Sequence, residues 1–96
     1  MIDEAAARAI VLALGNRQVC DDPLDQFVVS SCTLSERGDC WIVQGNTRGY
    51  VEQGLISYCR VGVSAYLVDV HSGRVDTVGS AQSLEEVLQR RHGLMQ

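Results

Sequence analysis

The chain has 96 residues, of which 46% are hydrophobic, and its eight cationic and twelve acidic side chains give a formal net charge of −4. All eight cations are arginine. They form no basic run of the kind that follows a phosphate backbone, so the composition argues against a nucleic-acid-binding protein. No apolar stretch approaches the roughly 20 residues that cross a bilayer, so no membrane span is expected. The length predicts a single domain over residues 1–96.

The first four residues, Met1 to Glu4, are acidic rather than basic. We therefore expect no secretory signal peptide and a cytoplasmic location, where cysteines stay reduced. Cys32 and Cys40 lie in strand-like runs and are expected to be buried as small hydrophobic side chains. No C-x-x-C pair occurs, but disulfides, metal binding or catalysis stay open as alternatives for the four cysteines, which are Cys20, Cys32, Cys40 and Cys59.

The first predicted element is a helix from Asp3 to Leu14. Asp3 suits the N-cap, the alanine-rich run has a high helix propensity, and Gly15 favours a helix end. Apolar side chains recur at three- and four-residue spacing, which predicts one apolar stripe. Its members are Ala6, Ala7, Ile10, Val11 and Leu14.

A hairpin is predicted next. A polar loop from Asn16 to Asp25 leads to a strand from Gln26 to Leu34, which is rich in β-branched residues. A turn over residues 36–39 then returns the chain as a second strand from Cys40 to Gln44. Gly45 to Gly49 is predicted to be a loop. The pattern over residues 50–61 allows a short helix, a strand or an ordered loop.

The last third predicts a second hairpin and a helix. Val63 to Val70 is almost continuously apolar and is expected to be a central strand, and its partner strand covers Arg74 to Val78. Asp69 precedes the turn between them and is expected to accept hydrogen bonds from the turn amides. Ser83 and Glu86 fit a capping box at the start of the final helix, and Gly93 is expected to end it.

The predicted fold class is therefore α+β, with an antiparallel sheet of about four strands flanked by an N-terminal and a C-terminal helix. Trp41 and Val43 share one face of the second strand, and Cys40 and Ile42 share the other. If both helices packed on one side of the sheet, apolar residues on the other face would be exposed to a partner or to a second copy. Otherwise Trp41 and Tyr66 are core residues.

Few residues have catalytic potential. His71 lies in a predicted turn, and His92 lies near the end of the last helix, where a cation is favourable. A small hydrolase would need a cysteine nucleophile beside a histidine base, for example Cys59 beside His71. The sequence spacing does not indicate such a pair. The sequence contains no P-loop, nucleophile elbow or zinc-protease motif. We expect no enzyme, no cofactor and no metal site.

Two groups of residues are candidates for partner binding. The first is the segment from Asp21 to Asp25, which contains three aspartates and which we call the acidic loop. It lacks the central glycine and final glutamate of an EF-hand, so it is a solvated loop or a contact surface for a basic partner. Tyrosine and arginine commonly anchor interfaces, and both occur at the ends of the ambiguous region. The candidate residues are Asp21, Asp22, Asp25, Arg48, Tyr50, Tyr58 and Arg60.

Several motifs along the chain resemble the Immunity protein 35 domains, also called YrhB-like. The family pattern has an N-terminal helix, a strand centred on tryptophan, a strand that ends in V-D, an S-G or T-G turn and a short last helix. The matching segments are Asp39-Cys40-Trp41-Ile42-Val43, Ala65-Tyr66-Leu67-Val68-Asp69, Ser72-Gly73-Arg74-Val75 and Ser83-Leu84-Glu85-Glu86. Where the family has a G-N-x-P segment, this chain reads Val61-Gly62-Val63-Ser64-Ala65.

The resemblance implies a small bacterial protein that neutralises a cognate toxin or effector by binding to it and occluding its active site. It implies no catalytic residues. It also implies that the matching residues support the fold and do not contact the partner; these are Trp41, Val68, Asp69 and Gly73. The alternatives are a YrhB-like chaperone or general ligand-binding domain, and the small hydrolase. A homodimer is also possible.

Overall fold

The computed structural model describes residues 1–17, 21–79 and 81–94. It confirms the α+β fold with a four-stranded antiparallel sheet and a helix toward each terminus. The helices and strands are α1 (Glu4–Gly15), β1 (Phe27–Leu34), β2 (Cys40–Thr47), α2 (Arg48–Gln53), β3 (Val63–Asp69), β4 (Val75–Gly79) and α3 (Leu84–Leu94). Two single-turn 3₁₀ helices cover Pro23–Asp25 and Ile56–Tyr58. Residues 50–61, which the sequence left open, therefore contain a short helix and a 3₁₀ turn.

The sheet is an open meander in the order β1-β2-β3-β4, with every neighbouring pair antiparallel. β1 and β2 form a hairpin that closes where the Ser35 amide donates to the Cys40 carbonyl (2.9 Å). The register of this hairpin shifts once, between Val29 and Ser31, which marks a β-bulge.

The two long helices cover opposite faces of this sheet. Val43 and Val68 pack on the side of α1, together with Ala7 and Val11. On the other face, Leu67 belongs to a second buried cluster, whose further members are Cys40, Ala65 and Val78, with Leu84, Val87 and Leu88 of α3 packed against it. The arrangement with both helices on one side therefore does not occur.

Trp41 and Tyr66 pack partly buried against the α1 cluster, as expected for core residues. The indole nitrogen of Trp41 donates to the carbonyl of Ile2 (2.8 Å), which ties the chain start to the sheet. The Ile2 amide in turn donates to the Val70 carbonyl (2.7 Å).

Most predicted boundaries agree with the structure to within a residue or two, but the loop predicted over Gly45 to Gly49 does not form. β2 continues to Thr47 because Gly45 and Asn46 pair with β1. Arg48 and Gly49, also predicted to be loop, begin α2, which the Thr47 hydroxyl caps. α3 continues through Gly93 to Leu94, so the predicted helix end at Gly93 is wrong. A glycine in a helix costs about 1 kcal/mol relative to alanine, which other helical residues can offset.

The turn between β3 and β4 is held as the sequence predicts. One carboxylate oxygen of Asp69 accepts from the amides of His71 and Ser72, both at 2.9 Å. Gly73 follows with φ of 75°, a left-handed conformation that favours glycine. Asp69 is thereby accounted for as a turn residue.

Cys32 and Cys40 are buried in the sheet, as predicted. Burial raises the pKa of the Cys32 thiol, so this group resists ionisation. Cys59 is partly buried in the segment after α2, and the prediction for Cys20 falls outside the described residues. Among the residues that the structure describes, no helix is long and apolar enough to cross a membrane.

We expect Leu67→Ala to lower the free energy of unfolding by about 2–5 kcal/mol, since Leu67 is fully buried and its removal leaves a cavity. Thr77→Ala, at an exposed position on β4, is the control and should change it by less than about 0.5 kcal/mol. Urea unfolding measures both. Equal effects of the two substitutions would contradict the assignment of Leu67 to the core.

Candidate functional site

The segment between the two central strands, residues 48–62, is the most irregular part of the described chain, and we call it the β2–β3 connection. It contains α2 and the 3₁₀ turn Ile56–Tyr58. The buried Thr47 starts it, because its hydroxyl caps α2 by accepting from the Tyr50 amide (3.2 Å). The same hydroxyl donates to the Tyr58 carbonyl (2.7 Å), so one side chain joins both ends of the connection.

Asn46 performs the corresponding function at the far end of the connection. Its side-chain oxygen accepts from the Arg60 amide and from the Thr47 amide, both at 2.8 Å. Its amide nitrogen donates to the Arg60 carbonyl (3.0 Å) and contacts the sulfur of Cys59 (3.7 Å). The carboxamide therefore pairs with the backbone of residue 60 as a neighbouring strand would.

Four of the seven predicted partner-binding residues meet at this connection. The Tyr58 hydroxyl donates to the Asp22 carboxylate (2.6 Å). The Arg60 guanidinium donates to the Gly15 carbonyl (2.9 Å) and to the Asp25 carbonyl, with the Asp25 carboxylate 3.9 Å away. The acidic loop is therefore held against the connection from two sides.

Close packing supports these bonds. Gly49 is buried in α2, and a Cβ atom there would lie 3.0 Å from the Tyr58 ring and 3.2 Å from Leu24. The absence of a side chain lets the Tyr58 ring and the acidic loop approach the helix.

The structure does not bring the other three candidates into this network. Arg48 pairs along α2 with Glu52 (3.3 Å), an exposed pair of the kind that contributes little. Asp21 is exposed, and Tyr50 is partly exposed on α2. These three side chains remain accessible to a partner.

The sequence prediction missed Asn46 and Thr47, which hold the connection together. A signal was present in the sequence. Thr47 followed by a short run that ends at Gly54 fits an N-cap and a left-handed C-cap, and Gly54 has φ of 68°. The reach of the Asn46 side chain to Arg60 depends on tertiary structure and has no local signal.

Exposed apolar side chains are concentrated on the connection and the start of β3, and we call this set the apolar rim. Ile56 is 79% exposed and Val61 is 88% exposed. The rim consists of Tyr50, Val51, Leu55, Ile56, Val61 and Val63. Single exposed apolar residues are normal, but a concentration in one segment marks an interaction surface.

A small cavity of about 170 Å³ lies beside the rim. Val61 and Val63 line it together with the rings of Phe27 and Tyr66, which meet edge to face with centroids 5.9 Å apart. The Arg60 side of the cavity is polar. Its size and lining suit one apolar side chain of a binding partner.

The residues that a hydrolase would require lie far apart. Cys59 precedes β3 and His71 follows it, so the seven residues of β3 separate them by about 23 Å at the usual rise per residue. That nucleophile–base pair is therefore not formed. Among the residues that the structure describes, no group of three or more His, Cys, Asp or Glu side chains is placed to hold a metal ion.

Comparisons of the chain with protein-family models, with curated proteins and with solved structures found no match. Its function must therefore be argued from the connection, the acidic loop and the sequence resemblance.

We expect Asn46→Ala to loosen the connection without unfolding the sheet. It leaves backbone groups of residues 47 and 60 without their partner, at a cost of about 1–3 kcal/mol. Amide hydrogen exchange over residues 48–60 should then accelerate roughly 10- to 100-fold. Asn16→Ala is the matched control, because the Asn16 carboxamide bonds both backbone groups of Phe27 instead. If the connection kept its protection in Asn46→Ala, Asn46 would not be its anchor.

The Asp22–Tyr58 hydrogen bond also makes the fold sensitive to pH at both extremes. The pKa of Asp22 is lowered mainly by the hydrogen bond from the Tyr58 hydroxyl and, to a smaller extent, by the one from the Leu24 amide. The hydrogen bond to the Asp22 carboxylate in turn raises the pKa of Tyr58. The stabilisation from Asp22 is present above its unfolded pKa and is lost as the pH falls through the lower folded value. That from Tyr58 is present below its unfolded pKa and is lost as the pH rises through the higher folded value.

Accordingly, Tyr58→Phe should raise the pKa of Asp22 toward its ordinary value, because the largest cause of its depression is removed. Carbon-13 NMR of the Asp22 carboxyl group across an acid titration measures the change. Tyr50→Phe removes a hydroxyl elsewhere on the connection and should leave the Asp22 titration as it is. A pKa of Asp22 that did not move in Tyr58→Phe would show that the hydrogen bond is absent in solution.

Proposed function

We propose that this chain is a non-catalytic protein-binding module of the immunity type, which binds a cognate toxin or effector and occludes its active site. The observation that carries the proposal is the exposure of Ile56 and Val61 on a connection whose backbone is anchored at both ends. In this proposal the chain acts in the cytoplasm of a bacterium.

Anchoring matters because flexible binding loops lose affinity when they become ordered. The connection is already held by Asn46, Thr47 and Arg60, so little further ordering is required when a partner binds. Its apolar side chains are therefore presented at low entropic cost, which suits a tight inhibitor.

Charge on the adjoining loop indicates the type of partner. Asp21 is exposed and lies one residue from Asp22, which Tyr58 holds against the connection. The Tyr58 hydroxyl lowers the pKa of Asp22, so this hydrogen bond favours the charged form of the carboxyl group. An apolar surface beside acidic groups fits a partner with a basic rim, and such charges raise the association rate.

The immunity role itself draws on the sequence resemblance to Immunity protein 35 domains. The binding surface adds support, because immunity proteins act by contact and not by chemistry. The competing chaperone role would instead involve an apolar sheet face, and here α1 and α3 lie on the two faces of the sheet.

The test is co-expression with the products of the adjacent genes. We expect one of them to form a complex of fixed stoichiometry with this chain and to be toxic when expressed alone. Ile56→Asp and Val61→Asp should each weaken that complex about 30-fold or more, as for an interface hot spot of about 2 kcal/mol. Isothermal titration calorimetry measures the affinity, and survival of the host cell measures protection.

His71→Asp is the control, since it adds the same charge at an exposed position beyond the other end of β3, away from the rim. It should leave affinity and protection unchanged. Binding that tolerated Asp at both rim positions would exclude the connection as the interface. If no neighbouring product bound, and the chain instead suppressed the aggregation of unrelated proteins, the chaperone alternative would replace the immunity role.

A further inference from the structure

The two edges of the sheet are protected to very different extents. β4 has only five residues, and its Asp76 lies 3.7 Å from Arg74. β1 has eight residues, and the run from Gln26 to Ser35 contains no charged side chain. Natural proteins usually block edge strands by shortness or charge, because an open edge pairs with other strands. A β-bulge also protects an edge strand, and the bulge at Ser30 is the protection that β1 has.

The register of the hairpin shows which backbone groups of β1 point away from the sheet. The Ser35 amide bonds to Cys40 of β2, so Ser35 is a hydrogen-bonded position. Bonding alternates along an antiparallel pair, so Thr33 also bonds to β2. The amides and carbonyls of Cys32 and Leu34 therefore point outward, where the described sheet has no further strand.

The beginning of β1 is already occupied by a side chain. The Asn16 carboxamide accepts from the Phe27 amide (2.9 Å) and donates to the Phe27 carbonyl (3.1 Å), as a neighbouring strand would. The open part of the edge is therefore the straight stretch after the bulge, Ser31 to Leu34. It includes Leu34, a large apolar side chain that is 47% exposed.

We propose that this edge is a self-association site, at which a second copy of the chain pairs its own β1 in antiparallel orientation and forms a continuous eight-stranded sheet. A two-fold axis at Thr33 places Cys32 opposite Leu34 of the second copy, and the reverse. The outward amides and carbonyls of these residues then form four hydrogen bonds. An isologous contact of this kind uses the same surface on both copies and closes after two.

Charge on α1 fits the same axis. Ala7 and Val11 of α1 belong to one buried cluster with Cys32, so α1 packs over this part of β1. Glu4 and Arg8 each lie three residues before one of them on the helix, and both charges reach the Cys32 thiol. Since Asn16 lies at the Phe27 end, α1 runs antiparallel to β1. The two-fold axis is perpendicular to the sheet. The α1 helices of the two copies therefore lie on the same face of the continuous sheet and run antiparallel to each other.

In that arrangement Glu4 of each copy faces Arg8 of the other, and the charges are complementary. Within one copy the two residues already pair along the helix (3.2 Å). A second copy therefore fits this edge better than an unrelated strand would.

Sedimentation equilibrium over a range of concentrations tests the proposal. The chain should be dimeric well below about 1 mM, the concentration scale of the weakest specific contacts. Thr33→Lys places two like charges at the axis and should raise the dimer dissociation constant at least about tenfold. Thr77→Lys makes the same change on the other edge strand and should leave it within about twofold of the parent.

A second pair of variants tests the helix contact. Arg8→Glu should weaken the dimer, and the double exchange Glu4→Arg with Arg8→Glu should restore it, because the charges stay complementary across the axis. A chain that stayed monomeric at about 1 mM would overturn the proposal. So would equal effects of Thr33→Lys and Thr77→Lys, or a monomer that pairs only with a strand of another protein. Circular dichroism checks that each variant is folded.

Discussion

The two central strands must bury both of their faces, and the rest of the structure depends on this constraint. Val43 and Val68 face one side, and Cys40 and Leu67 face the other, all of them fully buried. A chain of this length has two helices long enough to cover a sheet, so one is used on each face. Among the residues that the structure describes, neither long helix covers the β1 edge or the outside of the β2–β3 connection. The two surfaces proposed to bind other chains are therefore both places that the two long helices leave uncovered.

The connection shows a reversal of the usual distribution of polar and apolar side chains. Thr47, which is polar, is fully buried and holds the backbone from within, whereas Ile56 and Val61 face solvent. A segment selected only for stability would be expected to expose the polar groups and bury the apolar ones. Such local conflicts between sequence and fold concentrate at functional sites, which is why we weight the rim above the acidic loop.

The parts of the fold that local patterns determine could be predicted, and the parts that depend on long-range contacts could not. Helix α1 was predictable because Asp3 caps it through its own neighbours, accepting from the Ala6 amide (2.8 Å). The turn after Asp69 was predictable for the same reason. The extent of β2 was not, because Gly45 and Asn46 are loop-forming residues that become strand only when β1 lies beside them.

The candidate site divides in the same way. Residue type alone selected Asp22, Tyr58, Asp25 and Arg60, which the structure does bring together. Residue type could not show that these four side chains bond within the chain. Their hydrogen bonds hold the acidic loop against the β2–β3 connection. The aliphatic members of the apolar rim were missed, although Tyr50 was named, because an isoleucine or valine in a sequence of ambiguous periodicity is expected to be core. Only the three-dimensional structure shows that Ile56 and Val61 face solvent.

The two proposed surfaces lie at opposite ends of the same strand. The connection packs at the beginning of β1, where the Arg48 amide donates to the Gln26 carbonyl (2.8 Å). The proposed two-fold axis lies at Thr33, seven residues further on and therefore about 20 Å away. A second copy at the edge leaves the rim uncovered, so a dimer presents two separate rims that point away from the axis. In the proposed function, each rim would then bind its own partner molecule. Such a dimer gains avidity only from a partner that is itself repeated, because two independent monovalent partners add no effective concentration to one another.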